Sequence, residues 1–267
     1  MVGDVHGCLR ELLELEDRVR RRASRLGHRP LFVLAGDLVD RGPDSKSVVE
    51  HAMTGAAEGT HVSVAGNHEE FFLRALNSFR PDLIQAAGCE IPMWLETLPN
   101  LFSRRPHLER MAANSEWAVF HRLMWLTQGG AETIDSYGCD AMDSASWNIP
   151  LAHIQYLCGL PLAWSDDTAV VTHALALRED LDVLRRSGTP SRASVMRLLW
   201  SRSVPREAPD LDRVHVSGHT PVKRVRRSLG GQVVRVDTGA CMGGRLTAYS
   251  PALDKTLSVA SSFNWRP

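Results

Sequence analysis

Short apolar runs alternate with amphipathic stretches in two parts of this chain, and this alternation predicts an α/β (α+β) fold. Apolar residues recur at helical spacing in 9–27, and helices are also predicted at 45–53, 69–76 and 191–200. The apolar runs at 31–34, 61–64, 169–171 and 214–216 predict short buried strands. Further strands are predicted at 232–236, 246–249 and 256–259.

The pattern changes between residues 77 and 150. Prolines, irregular helical spacing and four of the seven tryptophans replace the regular alternation in this segment. We interpret 77–150 as a mostly helical, tryptophan-rich insertion or cap within a single domain that spans residues 1–267. Its tryptophans are expected to form the core of the cap, with one of them a candidate for lining a substrate cleft; they are Trp94, Trp117, Trp125 and Trp147.

The chain begins with only Met1 and Val2 before the motif Gly3-Asp4-Val5-His6-Gly7. A typical strand has about five or six residues, so we expect most of the first strand to be missing. Either a gene start assigned too late or a trimmed chain would account for this. On this expectation Asp4 and His6 lie on a frayed edge, where metal affinity is weak.

Five apolar runs, beginning near Val2 and at the four strands named above, each end in a polar side chain that can bind a metal ion. In α/β sheets ligands gather beyond the carboxyl ends of the strands, so these side chains are expected to meet at one edge. The candidate metal ligands are Asp4, His6, Asp37, Asn67, His173 and His219.

Carboxylate, imidazole and amide ligands without thiolates suit two divalent metal ions, with Mn²⁺ expected first and Fe or Zn as alternatives. Two such ions about 3.5–4 Å apart stabilise a phosphoryl group in transfer and lower the pKa of a shared water. We expect Asp4 and His6 to hold one ion and Asp37 to bridge to the second. The other three ligands would complete the shell of the second ion.

Four further residues are candidates for catalysis. His68 follows the ligand Asn67 and is placed to donate a proton to the leaving alkoxide, while Asp40 could orient its ring. Arg41 would hold phosphate oxygens with its planar guanidinium, and Arg202 is a second candidate for this role.

The charge balance and the cysteine pattern argue against some classes of function. Lys+Arg and Asp+Glu both number 31 and the pI is 7.2, which argues against nucleic acid as the main partner. The five cysteines form no C-x-x-C pair, and no apolar run of 18 residues occurs, so we expect reduced thiols, a cytoplasmic location and no membrane contact.

We expect a monomer by default. We expect Cys241 to be a packed neighbour of the site, and the remaining histidines to be surface or packing residues: His28, His51, His61, His107, His121, His153 and His215.

The motifs at 3–7, 36–42 (Gly-Asp-Leu-Val-Asp-Arg-Gly) and 66–69 (Gly-Asn-His-Glu), with His173 and Gly218-His219 in order, resemble the calcineurin-like metallophosphoesterases of the phosphoprotein phosphatase group. The resemblance implies a β-sandwich flanked by helices and the roles assigned above. The segment 199–202 is similar to the Arg-bearing segment of the bacterial and phage branch, and 236–240 to a wall of the site. Ala174-Leu175 departs from the family pattern, so the loop after His173 is expected to turn less freely.

We therefore expect a serine/threonine protein phosphatase that hydrolyses phosphomonoesters by direct attack of metal-bound hydroxide, with a phosphoprotein or a small phosphoester as substrate. A symmetrical bis(5′-nucleosyl)-tetraphosphatase is the alternative, because it shares the fold and ligands; Asp40 and Glu69 favour the phosphatase. A catalytically silent binding module is the second alternative, and the intact ligand set argues against it.

Overall fold

The computed structural model describes residues 1–89, 123–187, 189–203 and 206–266. Its helices are α1 (Leu9–Arg25), α2 (Ser45–Ala57), α3 (Asn67–Phe79), α4 (Pro81–Ala86), α5 (Ala131–Ser136), α6 (Leu151–Cys158), α7 (Arg178–Ser187) and α8 (Arg192–Trp200). Its strands are β1 (Phe32–Leu34), β2 (His61–Ser63), β3 (Ala163–Ser165), β4 (Ala169–Thr172), β5 (Val214–Ser217), β6 (Arg226–Ser228), β7 (Val233–Arg235), β8 (Arg245–Ser250) and β9 (Lys255–Ala260).

The strands form two sheets. In the first, β1 and β2 are parallel, β8 and β9 are antiparallel, and Val2 joins the two pairs by bridging Leu34 and Ala248. The second sheet has the order β3-β4-β5-β7-β6, with β4, β5 and β7 parallel and both edge strands antiparallel. The carboxyl ends of the parallel strands of each sheet therefore share one edge.

A layer of apolar side chains lies between the two sheets. Val33 of the first sheet packs in one buried cluster with Val171, Val216 and Val234 of the second, and Tyr249 of β8 joins them. Helices cover the outer faces; α1, for example, buries Leu12 and Leu15 and packs against β8 and β9. The predicted α/β class and the sandwich flanked by helices are confirmed.

The expected frayed edge at the N-terminus is wrong. The N–H of Val2 donates to Val33 O at 2.7 Å, the N–H of Ala35 donates to Val2 O at 2.9 Å, and the N–H of Gly3 donates to Thr247 O at 3.0 Å. Because residues 1–3 lie between two strands, hydrogen bonds on both sides hold them, and Val2 is fully buried.

The end predicted for α2 is also wrong, since the helix continues through Gly55 to Ala57. A Cβ atom at position 55 would lie 1.9 Å from Nδ1 of His61. Glycine is needed there because an imidazole packs directly on the helix backbone, and the residue does not mark a helix end.

Part of the segment predicted as a cap belongs to the main core. Trp125, Ile134 and Trp147 are buried in the same apolar cluster as Leu12 and Phe72. Residues 90–122, which include Trp94 and Trp117, lie outside the described residues. Among the described helices, none combines the length and apolar character needed to span a bilayer.

Candidate active site

The turns that carry the candidate site residues have unusual backbone geometry. Within the described ranges, five of the seven non-glycine residues with positive φ are candidate site residues: His6, Asp37, Asp40, Arg41 and His219. Left-handed backbone is costly for side chains with a Cβ and tends to persist at functional sites, where the surrounding structure enforces it.

The carboxylate of Glu69, in the first turn of α3, fixes two of these turns. It accepts the backbone N–H groups of Gly66 and Asp37, each at 2.8 Å, of Leu38 at 2.7 Å and of Val39 at 3.3 Å. Glu69 therefore ties the loop after β1 to the N-terminus of α3. The sequence marked Glu69 only as a residue typical of the phosphatases, so this positioning role was missed.

Two glycines allow carboxylates to approach the backbone closely. A Cβ atom at position 66 would lie 2.2 Å from Oδ1 of Asp37, and one at position 218 would lie 2.0 Å from Oδ1 of Asp4. Any larger residue at either position would displace a candidate ligand.

Asp37 lies between two histidines. Its Oδ2 is 3.4 Å from Nε2 of His6, and its Oδ1 is 3.3 Å from Nε2 of His173. Each carboxylate oxygen thus faces a different imidazole, which is the arrangement that a carboxylate bridging two cations requires.

Backbone carbonyls set the tautomers of these two histidines. Nδ1 of His6 lies 2.8 Å from Val39 O, and Nδ1 of His173 lies 2.8 Å from Ala35 O. A carbonyl oxygen only accepts, so both Nδ1 atoms carry the proton and both Nε2 lone pairs point into the site. Burial lowers the pKa of His6 well below its usual value and that of His173 to about 3, which keeps both rings neutral.

The contacts of the Asn67 side chain with His173 and His219 favour a bound cation. Its Oδ1 is 2.9 Å from Nε2 of His173 and 2.8 Å from Nδ1 of His219. Because Nε2 of His173 carries no proton in the tautomer set by Ala35, two lone pairs face each other across 2.9 Å. A shared divalent ion would turn this repulsion into coordination. Burial is the main cause that lowers the pKa of His219 to about 3.

Asp4 adds a second acid to the site. Both of its oxygens accept the N–H of His219 at 3.1 Å. Burial, then the charges of Asp237 and Asp37, raise the pKa of Asp4, and burial raises that of Asp237 to about 6. Three neighbouring buried carboxylates strongly favour bound positive charge, so the donor set fits divalent cations.

His68 is held by one carboxylate and one guanidinium. Its Nδ1 lies 2.7 Å from Oδ2 of Asp40, and its Nε2 lies 2.8 Å from NH2 of Arg41. A guanidinium only donates, so Nε2 accepts and the Nδ1–H donates to Asp40. Burial lowers the pKa of His68 to about 4. The pairing of His68 with Asp40 is the geometry predicted from the sequence.

Two residues that sequence reasoning missed hold Asp40. The indole Nε1–H of Trp125 donates to Oδ2 at 2.9 Å, and the hydroxyl of Thr133 donates to Oδ1 at 2.7 Å. Burial raises the pKa of Asp40, and these hydrogen bonds oppose the shift. In the folded chain Gly129 allows this segment to approach the site, because a Cβ atom there would lie 2.3 Å from the backbone nitrogen of Arg41.

The two candidate phosphate-binding arginines differ in burial. Arg41 is half-buried, with NH1 2.6 Å from Nε2 of His6 and its guanidinium 5.6 Å from the ring of Trp265. Arg202 is exposed, and its charge contributes to the lowered pKa values of His68 and His219. Both cations therefore act on the same site.

Two half-buried aromatic side chains lie beside this centre. The rings of Phe71 and Trp200 meet edge to face at 5.0 Å. Phe71 is 6.1 Å from the ring of His68, and Trp200 is 6.3 Å from that of His219. They form an apolar rim next to the candidate ligands.

The loop after His173 and the side chain of Cys241, both noted in the sequence as neighbours of the site, are packed against the protein core. The loop after His173 is anchored on α8, because Ala174 donates its N–H to Leu198 O at 2.7 Å and Leu175 is buried. Cys241 is also buried, which raises the pKa of its thiol to about 12 and leaves it a poor nucleophile.

Comparisons with known proteins identify a family and several similar relatives. The family model for calcineurin-like phosphoesterases matches residues 1–242. The chain is 28% identical to a symmetrical bis(5′-nucleosyl)-tetraphosphatase of Aromatoleum aromaticum, covering 92% of this chain and 91% of the relative. It is 25% identical to serine/threonine-protein phosphatase 1 of Salmonella typhimurium, covering 92% and 88%. A solved structure described as a putative diadenosine tetraphosphatase is similar in fold, with a TM-score of 0.54, 18% identity and 97% and 91% coverage.

Proposed function

The chain belongs to the calcineurin-like phosphoesterase family, and from that premise we propose that it is a serine/threonine protein phosphatase with a dinuclear metal centre. The general activity of the protein, metal-dependent hydrolysis of phosphoesters, follows from its family. The choice of substrate is the proposal, and it rests on the residues around His68.

In this proposal Asp4 and His6 hold one cation, Asp37 bridges, and a second set completes the centre: Asn67, His173 and His219. The chemistry that two such cations supply when bound is neutralisation of phosphoryl oxygens and a lowered pKa of water. We propose Mn²⁺ as the ion, because the ligands mix carboxylate, imidazole and amide groups. The neutral state of His6 and His173 supports their assignment as ligands.

The hydrogen-bonded pair of His68 and Asp40 carries the proposal. Hydrolysis of a phosphoserine or phosphothreonine ester expels an alkoxide, which is a poor leaving group and needs a proton. Nδ1–H of His68 donates to Asp40 at 2.7 Å, and Nε2 faces the site. Nε2 accepts from Arg41 here, so in this proposal it must first take a proton from solvent once Arg41 turns to the substrate phosphate. It would then pass that proton to the leaving oxygen, while Asp40 stabilises the cationic ring.

Arg41 and Arg202 would bind the substrate phosphate. The guanidinium of Arg41 already lies between Nε2 of His6 and Nε2 of His68, at 2.6 and 2.8 Å. Phosphate oxygens bound there would lie beside both the ligand set and the proton donor. Exposed Arg202 would contribute from the open side of the site.

A dinucleoside tetraphosphatase is the second candidate. The edge-to-face pair of Phe71 and Trp200 offers an apolar surface beside the ligands, against which a nucleobase could stack. A relative of similar length carries the name symmetrical bis(5′-nucleosyl)-tetraphosphatase. Symmetrical cleavage of such a substrate expels a nucleoside diphosphate through a phosphate oxygen, which needs less help from a proton donor such as His68 than an alkoxide does.

Hydrolysis of a phosphoserine peptide and of diadenosine tetraphosphate in Mn²⁺, compared by kcat/KM, tests this proposal. We expect the peptide to be preferred. A preference for the dinucleotide, with ADP as product, would overturn the protein phosphatase and support the second candidate. The Asp37→Asn variant controls for contaminating phosphatases, because it should hydrolyse neither substrate.

A further inference from the structure

A second group of metal-ligating side chains lies away from the active site. Glu16 of α1, His51 of α2 and His61 of β2 place three ligand atoms within 4.8 Å of one another. His61 begins β2, whereas Asn67 follows its carboxyl end. The cluster therefore lies at the opposite edge of the sheet from the candidate active site.

Glu16 is the centre of this cluster. Its Oε1 is 2.8 Å from Nε2 of His61, and Nε2 of His51 lies 3.1 Å from both of its oxygens. Oε2 accepts a hydrogen bond from NH2 of Arg20 at 2.7 Å. Glu16 and His61 are buried, while 23% of the His51 side chain is exposed, so the cluster is open to solvent at His51 alone among the three.

A neighbouring hydroxyl sets the tautomer of His61. The hydroxyl of Thr60 donates to Gly55 O at 3.2 Å, so its oxygen accepts from Nδ1 of His61 at 2.9 Å. With the Nδ1 proton committed to Thr60, Nε2 points at Glu16, 2.8 Å from its Oε1. A histidine whose Nδ1–H is fixed by an oxygen and whose Nε2 points at a carboxylate is oriented as a metal ligand.

The ring of His61 has little freedom to move. It packs on the backbone at Gly55, where a Cβ atom would lie 1.9 Å from Nδ1, and stacks on Phe32 at 5.2 Å. Arg20 lies over the other ring of this stack, 5.0 Å from the centroid of Phe32. Ligands that are fixed before binding lose little conformational entropy when an ion arrives.

We propose that Glu16, His51 and His61 form a binding site for a third divalent cation of the Zn²⁺ type. Two imidazoles and one carboxylate are a known ligand set for zinc, with the fourth position left to water. Here that position would open at the exposed side of His51. Arg20 would hold the free oxygen of Glu16, as an outer hydrogen-bond partner that orients the carboxylate.

Two of the three ligand-atom spacings suit this ion after small shifts, and the third, between the two imidazoles, is within 4.8 Å. Zinc bonds of about 2.0–2.1 Å in a tetrahedron separate ligand atoms by about 3.3 Å. The present spacings of 2.8 and 3.1 Å need to open by a few tenths of an ångström. Because the ring of His61 is fixed, this movement falls to Glu16 and to His51, whose side chain is 23% exposed.

Zinc stoichiometry tests the proposal. Full-length protein dialysed against Zn²⁺ should hold three ions per chain, and the His51→Ala variant should hold two. His28→Ala, which removes an exposed histidine outside the cluster, is the matched control and should retain three. Phosphatase activity in Mn²⁺ should be the same in all three proteins, because none of these changes touches the candidate active site.

A second measurement separates this site from the active site. In the Asp37→Asn background, Co²⁺ should produce visible absorption from a four-coordinate ion, and adding His51→Ala should remove that absorption. Loss of the phosphatase proposal would leave this result unchanged. Equal zinc content and equal Co²⁺ spectra with and without His51 would overturn the third site and leave the cluster as a metal-free ion pair.

Discussion

The indole nitrogen of Trp125 donates a 2.9 Å hydrogen bond to Oδ2 of Asp40, the same oxygen that receives Nδ1–H of His68. Trp125 is buried and stacks on Phe72 at 5.4 Å with the rings nearly parallel. The core of the fold is thereby connected to the candidate proton donor through one carboxylate. Trp125 touches no substrate, so we regard it as a positioning residue.

We expect Trp125→Phe to lower kcat about 10- to 100-fold, because a hydrogen bond to a charged group contributes about 1.5–3 kcal/mol. The lost hydrogen bond normally lowers the pKa of Asp40, so the acidic limb of the kcat–pH profile should move to higher pH. Metal content should stay at the wild-type value. A purely structural role would lower stability without moving the pH profile.

Trp147→Phe is the matched control for this prediction. Trp147 is as buried as Trp125, but its Nε1–H donates to Asp140 O at 3.0 Å. We expect a similar loss of thermal stability and an unchanged kcat. Equal kcat values for the two variants would argue against the positioning role of Trp125.

Gly218→Ala should weaken metal binding without unfolding the protein. The new Cβ would lie 2.0 Å from Oδ1 of Asp4, so the carboxylate must move away. We expect about one bound ion per chain to be lost on dialysis, measured by elemental analysis. Gly159→Ala is the control, since its Cβ would first meet Gln155 O at 3.3 Å, and it should keep its ions.

Asp37→Asn should remove turnover and reduce metal content, because an amide cannot present a charged oxygen to each of two cations. We expect kcat for a phosphoserine peptide to fall below detection. Asp44→Asn, which changes an exposed acid near the same turn, should retain both ions and activity. Full metal content in the Asp37→Asn variant would refute the bridging role.

Asp210 gives a prediction for stability and pH. Burial raises its pKa, but hydrogen bonds from Arg213 at 2.8 Å and Arg185 at 2.5 Å outweigh this effect and hold the pKa well below the ordinary 3.8. A lowered folded-state pKa contributes stability above pH 3.8 that disappears as the pH falls below it.

Asp210→Asn should therefore lower the free energy of unfolding by about 1 kcal/mol at pH 7. The difference from wild type should shrink towards zero as urea titrations are repeated down to about pH 2. Asp182→Asn, which affects an exposed partner of the same Arg185, should cost less. A difference that grows on acidification would contradict the assigned pKa direction.

The strands that end in candidate ligands could be predicted because each combines an apolar run with a polar turn. This pattern is visible in the local sequence alone. In the structure the six predicted ligands lie close together. The edge strands β3 and β6 escaped prediction since Trp164 and Arg227 lie in mixed, partly exposed runs. Helix α7 was missed as well, in a stretch of alternating charges with few apolar residues.

Contacts between distant parts of the chain account for the remaining differences. Trp125 lies 85 residues from Asp40 in sequence, and nothing in its local pattern indicates that bond. Gly55 was interpreted as a helix end because its partner, His61, packs on it only in the folded chain. Val2 becomes a strand residue only because β1 and β8 lie on either side of it.

The role of His68 is tested most directly by changing the leaving group. We expect His68→Asn, with its metals still bound, to lose about 10²–10⁴-fold in kcat on a phosphoserine peptide. On 4-nitrophenyl phosphate, whose leaving group needs no proton, the same variant should lose far less. An equal loss on both substrates, or full activity on the peptide, would contradict the proposed phosphomonoester mechanism.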